Sequence, residues 1–293
     1  MLLFDLSSVF SRIRLQGSGQ LDFLHRISTG DLRGLKAGEG KPTVLTTPIG
    51  RMVDYLIVLA FETFTLLLGG GGNQEKVVRW LRKYIFFNDD VQVHDESALG
   101  GLWGIDDQAA RALHAPALDL PEYAHQTLSL PGADNRRFIF MRAPRALGLD
   151  WFVLAQGELP LTISARPQSD FDAWRVARGY PRFPHEINED YIPLEAGLWS
   201  AVSFAKGCYT GQEVLARMES RGQIARKLVR MTTDAPVAAG ATVHDEDGQP
   251  IGQITSAAPG AALAYVRSAF AQVGRELYTA PDRALRVSGV VRI

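Results

Sequence analysis

Two apolar runs, at residues 53–59 and 64–68, stand only a few positions apart with the polar pair Glu62-Thr63 between them. Each has the length and the Val, Leu and Ile content of a strand, and the polar break between them reads as a turn. Asn73 follows, placed to cap a helix on which Val77, Trp80, Leu81, Tyr84 and Ile85 fall at helical spacing. A strand pair running into an amphipathic helix makes the first ninety residues a sheet with helices on it. One residue breaks the apolar character of the first run. Asp54, between Val53 and Tyr55, puts a carboxylate on a strand that is at least half buried, so it has to face water, a ligand or a partner.

The rest of the chain extends this pattern. Residues 12–15 read as a short strand, and Ser18 is placed to cap a helix with Leu21, Leu24 and Ile27 on its apolar face. The glycine tract 69–72 lacks the Lys-Ser/Thr ending of a P-loop and the spacing of a dinucleotide fingerprint, so it reads as a flexible connection. Residues 97–161 form a second unit, with a helix at 106–113 and strands at 138–141 and 151–154. Ser169 is placed to cap a helix through Arg178, with Asp172 in the capping-box position, and Gly179, Tyr180 and Pro181 end it. Residues 180–204 show little periodicity and are loop or site. After Lys227 the pattern is β: strands at 228–231, 251–255, 262–266 and 286–293, with a turn at 245–248, suggest a small barrel or sandwich. The expected class is α+β, organised as 1–95, 96–168, 169–227 and 228–293, since 293 residues are long for one core.

Composition narrows the function. A net charge of −1 argues against broad attraction to nucleic acid. The single cysteine makes no internal disulfide and fits a reducing compartment. None of the six histidines shows metal-ligand spacing with it or with another histidine; His185-Glu186 is the pair nearest to it in sequence. No apolar run reaches the ~18 residues of a spanning helix, and the N-terminus does not read as a secretory leader. A cytoplasmic protein without membrane or nucleic-acid partners is expected.

That cysteine, Cys208, lies in Lys206-Gly207-Cys208-Tyr209-Thr210-Gly211-Gln212-Glu213. Thr210 and Glu213 match a capping box, which places Cys208 just ahead of a helix N-terminus with Lys206 nearby, an environment that favours the thiolate and a titration below the ~8.5 of a free cysteine. A free cysteine is equally a residue that packs and stays inert, and the residues themselves leave both readings open. Arg217, Arg221, Arg226, Lys227 and Arg230 make the segment that follows locally basic.

The same octet resembles the signature of the YgfZ family, relatives of the glycine-cleavage T-protein (aminomethyltransferase). Ile192-Pro193-Leu194-Glu195-Ala196-Gly197-Leu198, Gly50-Arg51 and Ile251-Gly252-Gln253-Ile254-Thr255-Ser256 fit the same family. The resemblance implies a T-protein-like multidomain fold with a C-terminal β-barrel, binding tetrahydrofolate non-covalently around a central channel. It implies that Glu195 receives the pterin and that Asp54 lies near the reactive nitrogen. Lys206, Arg217 and Tyr209 are placed with the folate-side residues, and Cys208 is the reactive group. It further implies an accessory role for iron–sulfur client enzymes, including those that modify tRNA. One thiolate cannot hold a cluster alone. The alternative is a folate-dependent aminomethyltransferase-like enzyme, for which Asp54 speaks; a scaffold that has lost its ligand is the third.

Overall fold

The computed structural model describes residues 1–115, 119–130, 136–157, 159–161, 163–222, 224–280 and 283–293, with the backbone alone at Arg221. In chain order it builds β1 (Leu3–Asp5), β2 (Phe10–Gln16), α1 (Gln20–Ile27), β3 (Gly40–Thr46), β4 (Met52–Ala60), β5 (Phe64–Gly70), α2 (Gln74–Lys83) and β6 (Gln92–Asp95). Next come β7 (Gly101–Ile105), α3 (Asp107–Ala112), β8 (His125–Ser129), β9 (Arg137–Arg142), β10 (Trp151–Ala155), α4 (Gln168–Arg178) and α5 (Gln212–Arg221). The chain ends in β11 (Arg226–Thr232), β12 (Thr242–His244), β13 (Pro250–Ala258), β14 (Ala261–Arg267), β15 (Glu276–Ala280) and β16 (Arg283–Val290). The class is α+β, as expected.

Two five-stranded sheets, ordered β3-β4-β5-β2-β6 and β1-β7-β10-β9-β8, and a closed six-stranded barrel, β11-β14-β13-β12-β15-β16, make up the three bodies. β1 pairs with β7, Leu3 opposite Ile105, so the first strand of the chain is an edge of the second sheet, although β2 to β6 belong to the first. All nine residues of β4 are buried because both faces of the first sheet are covered. Val53, Leu56 and Val58 pack with residues of α1 and α2 on the outer face, while Tyr55, Ile57 and Leu59 join Leu102, Met141 and Phe152 of the second sheet in a shared inner core. The barrel's Leu228, Leu263 and Tyr265 enter that same inner core, which ties the three bodies together.

Helix starts differ from expectation at four places. α1 begins behind Gly19, and Ser18 is held by Asp90. Asn73 precedes α2 without capping it, because its side chain donates to the Val53 carbonyl at 2.9 Å. α4 begins at Gln168 behind Pro167, one residue before Ser169, and Asp172 pairs with Arg175. α5 begins behind Gly211, and Thr210 does not cap it. In each case either another partner holds the expected capping side chain or the chain enters the helix by another route.

Candidate functional site

Asp54 owes its placement to a slip in register. Leu45 of β3 faces Asp54, but Thr46 faces Met52, so Val53 is an extra residue. A bulge of this kind re-aims the side chains beside it. The Asp54 carboxylate accepts the backbone N–H of Tyr55 at 2.9 Å and of Gly70 at 3.0 Å, and it is 1 % exposed. Burial pushes its pKa up to about 6, against the opposing pull of the Gly70 N–H, Asn73 and the Tyr55 N–H. The glycine tract is therefore not a flexible connection. Gly69 and Gly70 end β5, and a Cβ on Gly69 would stand 2.9 Å from Asp54 Oδ2. The glycines are what lets the backbone close over the carboxylate. Beside it lies a cavity of about 20 Å³ bordered by Phe10, Tyr180 and Phe183. That is room for a single water and no more.

Glu195, 4 % exposed, stands where the irregular segment meets β11. Its contacts are all long: the Ile192 N–H at 3.2 Å, Arg226 at 3.3 and 3.5 Å, and Arg51 at 3.8 Å. Charge-assisted bonds normally run ~2.7–2.9 Å, so this buried carboxylate has partners on both oxygens but is loosely held by them. Arg226 also lies over the Tyr191 ring at 5.0 Å, and Tyr191 stacks on Tyr265 at 3.5 Å. The Tyr191 carbonyl accepts the Met52 N–H at 3.0 Å, which couples the Glu195 segment to the strand that carries Asp54. Arg51, Arg226 and Asn73 are the partners that sequence reasoning missed; Arg51 and Arg226 meet a residue far away in the chain, and only the basic run after Cys208 pointed to one of them.

The other expected site residues have different occupations. The buried Lys206 ammonium donates to the carbonyls of His25, Ser28 and Gly30, which uses all three of its N–H groups on the C-terminal end of α1. Burial lowers its pKa to about 8, and Asp31 resists that shift. Lys206→Met should lower stability by ~2–4 kcal/mol, because the carbonyls it serves would stay buried without a partner; thermal denaturation measures this. Tyr209 is buried among Ile192, Leu194, Val202 and Leu215, with no partner for its hydroxyl among the described residues, and burial pushes its pKa up to about 12. Arg217 is exposed and pairs with Glu213 at 2.8 Å, one helical turn away. The side chain of Arg221 lies outside the described residues.

Cys208 is exposed and free. It is not at the helix end: three residues separate it from Gln212, and the last of them, Gly211, turns through φ +83°. A Cβ on Gly211 would stand 2.6 Å from the Thr47 carbonyl and 3.0 Å from Gly50 Cα. Only glycine meets both demands, so Gly211→Ala should destabilise by ~2 kcal/mol or more and loosen the cysteine loop, read as faster amide exchange across residues 206–211. Among the described residues, no group of three or more His, Cys, Asp or Glu side chains is placed to hold a metal.

Residues 1–106 match the GCVT N-terminal domain, and residues 226–290 match the CAF17 C-terminal beta-barrel domain. The two matched stretches flank a central part of the chain that neither model covers. A chloroplastic Arabidopsis thaliana protein, named as a transferase candidate, is 28 % identical over 99 % of this chain and 70 % of its own length. The aminomethyltransferase of Thermosynechococcus vestitus is 27 % identical over 94 % of this chain and 79 % of its own. The crystal structure of the glycine cleavage system aminomethyltransferase T from Bartonella henselae superposes with a TM-score of 0.84, at 22 % identity, over 97 % of this chain and 84 % of that one. The T-protein-like fold with its closed C-terminal barrel is thus established for this chain, and no helix among the described residues is long and apolar enough to cross a membrane.

Proposed function

We propose that this protein binds a reduced folate and acts as an aminomethyltransferase-like one-carbon transferase. The observation that carries this reading is Glu195, a buried carboxylate whose every partner stands long. The residues fit the group in charge and donor pattern: a loosely held carboxylate accepts the paired N–H donors of a pterin, and the half-exposed Arg226 guanidinium beside it can stack on a flat heterocycle. A bound folate would supply the nitrogen that carries the one-carbon unit. Asp54 would hold or release a proton through the single water that the cavity beside it can take, with an affinity close to working pH. Similarity to aminomethyltransferases over most of the chain supports this reading over the others.

Titration calorimetry with tetrahydrofolate tests it. Saturable binding is expected, weakened ~10–100-fold in Glu195→Gln, since a charge-assisted pair is replaced by a neutral one. Production of methylene-tetrahydrofolate from an aminomethyl donor should be lost in Asp54→Asn and kept in Cys208→Ala. A wild-type protein that does not bind at high micromolar ligand would refute the proposal.

A second reading rests on Cys208. An exposed thiol in a loop fixed at both ends, by Lys206 at α1 and Gly211 at Gly50, suits transient contact with iron–sulfur client proteins in a reducing compartment such as the cytoplasm. Those clients would supply the remaining cluster ligands. The reading predicts that Cys208→Ala lowers client activity in cells while tetrahydrofolate binding is unchanged; unaltered client activity would refute it.

A further inference from the structure

The two sheets meet around Phe10 and Phe152, whose rings stand 5.2 Å apart, and beyond them they part into a cleft of about 700 Å³. That is the size of a small-molecule site. Its first wall follows from the period of β2. Ile13 and Leu15 face the outer core, so Phe10, Arg12 and Arg14 face the second sheet. Two successive arginines on the meeting face of a sheet pack no core and are costly to desolvate, so packing does not account for them.

Each has a distinct place. Arg12, 4 % exposed, donates to the carbonyls of Ser7, Phe10, Ser97 and Gly100. Among the described residues no carboxylate lies within ion-pair distance of it, and Asp5 and Asp95 act on its charge only from farther away. Arg14 lies 4.1 Å over the Phe64 ring and 3.6 Å from Glu96. Phe64 in turn stacks on Phe61 at 4.3 Å and 10°. The opposite wall brings Arg137 from the start of β9 and, beside it, Arg136, which is already engaged, so among the described residues Arg12, Arg14 and Arg137 face Glu96 across the cleft. The ring faces are taken, Phe64 lying between Arg14 and Phe61, and Phe61 between Phe64 and His125 at 4.2 Å, so the guanidinium forks and the positive charge are what the cleft offers, and these match an oxyanion.

We infer that this cleft binds a small organic anion bearing a carboxylate or a phosphate. The site is separate from the proposed folate surface: Asp54, Glu195, Arg226 and Cys208 do not line it. The inference therefore does not depend on the proposed function.

Calorimetry with two probes tests it: p-aminobenzoyl-glutamate, an arene with two carboxylates and no pterin, and adenosine monophosphate, a purine with a phosphate. At least one should bind saturably, and which one binds identifies the oxyanion. Affinity should fall ~10–100-fold in Arg14→Ala, and fall with added salt. It should rise in Glu96→Gln, where the opposing charge is gone, and stay unchanged in Glu195→Gln. Should Arg14→Ala fail to fold, the exposed Arg137→Ala takes its place alongside Glu96→Gln. The inference is overturned if neither probe binds at millimolar concentration, if the arginine and Glu96 variants bind like the wild type, or if Glu195→Gln removes binding.

Discussion

Glu186→Leu should lower the stability of the fold by ~3–5 kcal/mol, a heavier loss than that expected for Lys206→Met or Gly211→Ala. Glu186 is fully buried, and unlike Glu195 it is tightly held. One oxygen accepts the hydroxyls of Thr255 and Ser256 at 2.7 and 2.6 Å; the other accepts Arg175 at 3.0 Å and the Arg182 N–H at 3.1 Å. Arg175, 2 % exposed, reaches from α4 to Asp172, to the Tyr180 carbonyl and to Ser256. The cluster therefore joins α4, the irregular segment and barrel strand β13 at one point. Leucine would fill much of the space but leave a buried guanidinium and two barrel hydroxyls without their acceptor. The melting temperature should drop by roughly 10 °C or more. Arg175→Met with Glu186→Leu should cost less than the sum of the single variants, because removing both charges leaves neither stranded. Added salt should leave the loss unchanged, as the pair is out of reach of counterions. A loss below ~1 kcal/mol for Glu186→Leu would mean that water or a moving side chain replaces the carboxylate.

This cluster also marks where the sequence stops being readable. Strands and helices follow from periodicity: the apolar runs around Val53 and Phe64, the helix through Val77 and Leu81, and the short strands after Lys227 all form, since burial on one or two faces writes a local pattern. Closure of those short strands into a barrel is not legible in that pattern, which fits a sandwich equally well; the barrel follows only from the family resemblance. Helix caps are not. Ser18, Asn73, Ser169 and Thr210 have the right chemistry, but a cap competes with tertiary partners, and Asp90 and the Val53 carbonyl hold two of them. Pairings such as Glu195 with Arg226, or Lys206 with the end of α1, join residues 31 and more apart and leave no periodic trace. The glycine tract is legible as a tract, but its purpose, closing backbone over Asp54, exists only once β4 and β5 lie side by side.

Asp54 should make the protein less stable as pH rises from about 4 to about 6. An unfolded aspartate releases its proton near 3.8, while the folded one holds it until about 6, because burial penalises the charge more than the Gly70 and Tyr55 N–H groups relieve it. Between these values the native state binds more protons than the unfolded chain, so stability declines with rising pH and levels off above about 6. The contribution reaches ~3 kcal/mol if the whole difference is expressed. The absolute stability of the Asp54→Asn variant is not the informative quantity: the substitution also turns an amide N–H toward a backbone donor, a loss that is the same at every pH. The slope carries the signal. Urea midpoints measured from about pH 4 to about pH 7 should decline further for the wild type than for Asp54→Asn, and the gap between the two should change by ~2–3 kcal/mol across that range. Parallel curves would place Asp54 in contact with solvent and remove its claim to a special site. A divergence would mean that at neutral pH the fold carries a buried charge that asparagine would spare it. Such a cost is typical of a residue kept for its chemistry, since a carboxyl that exchanges its proton near working pH is what general acid–base catalysis requires.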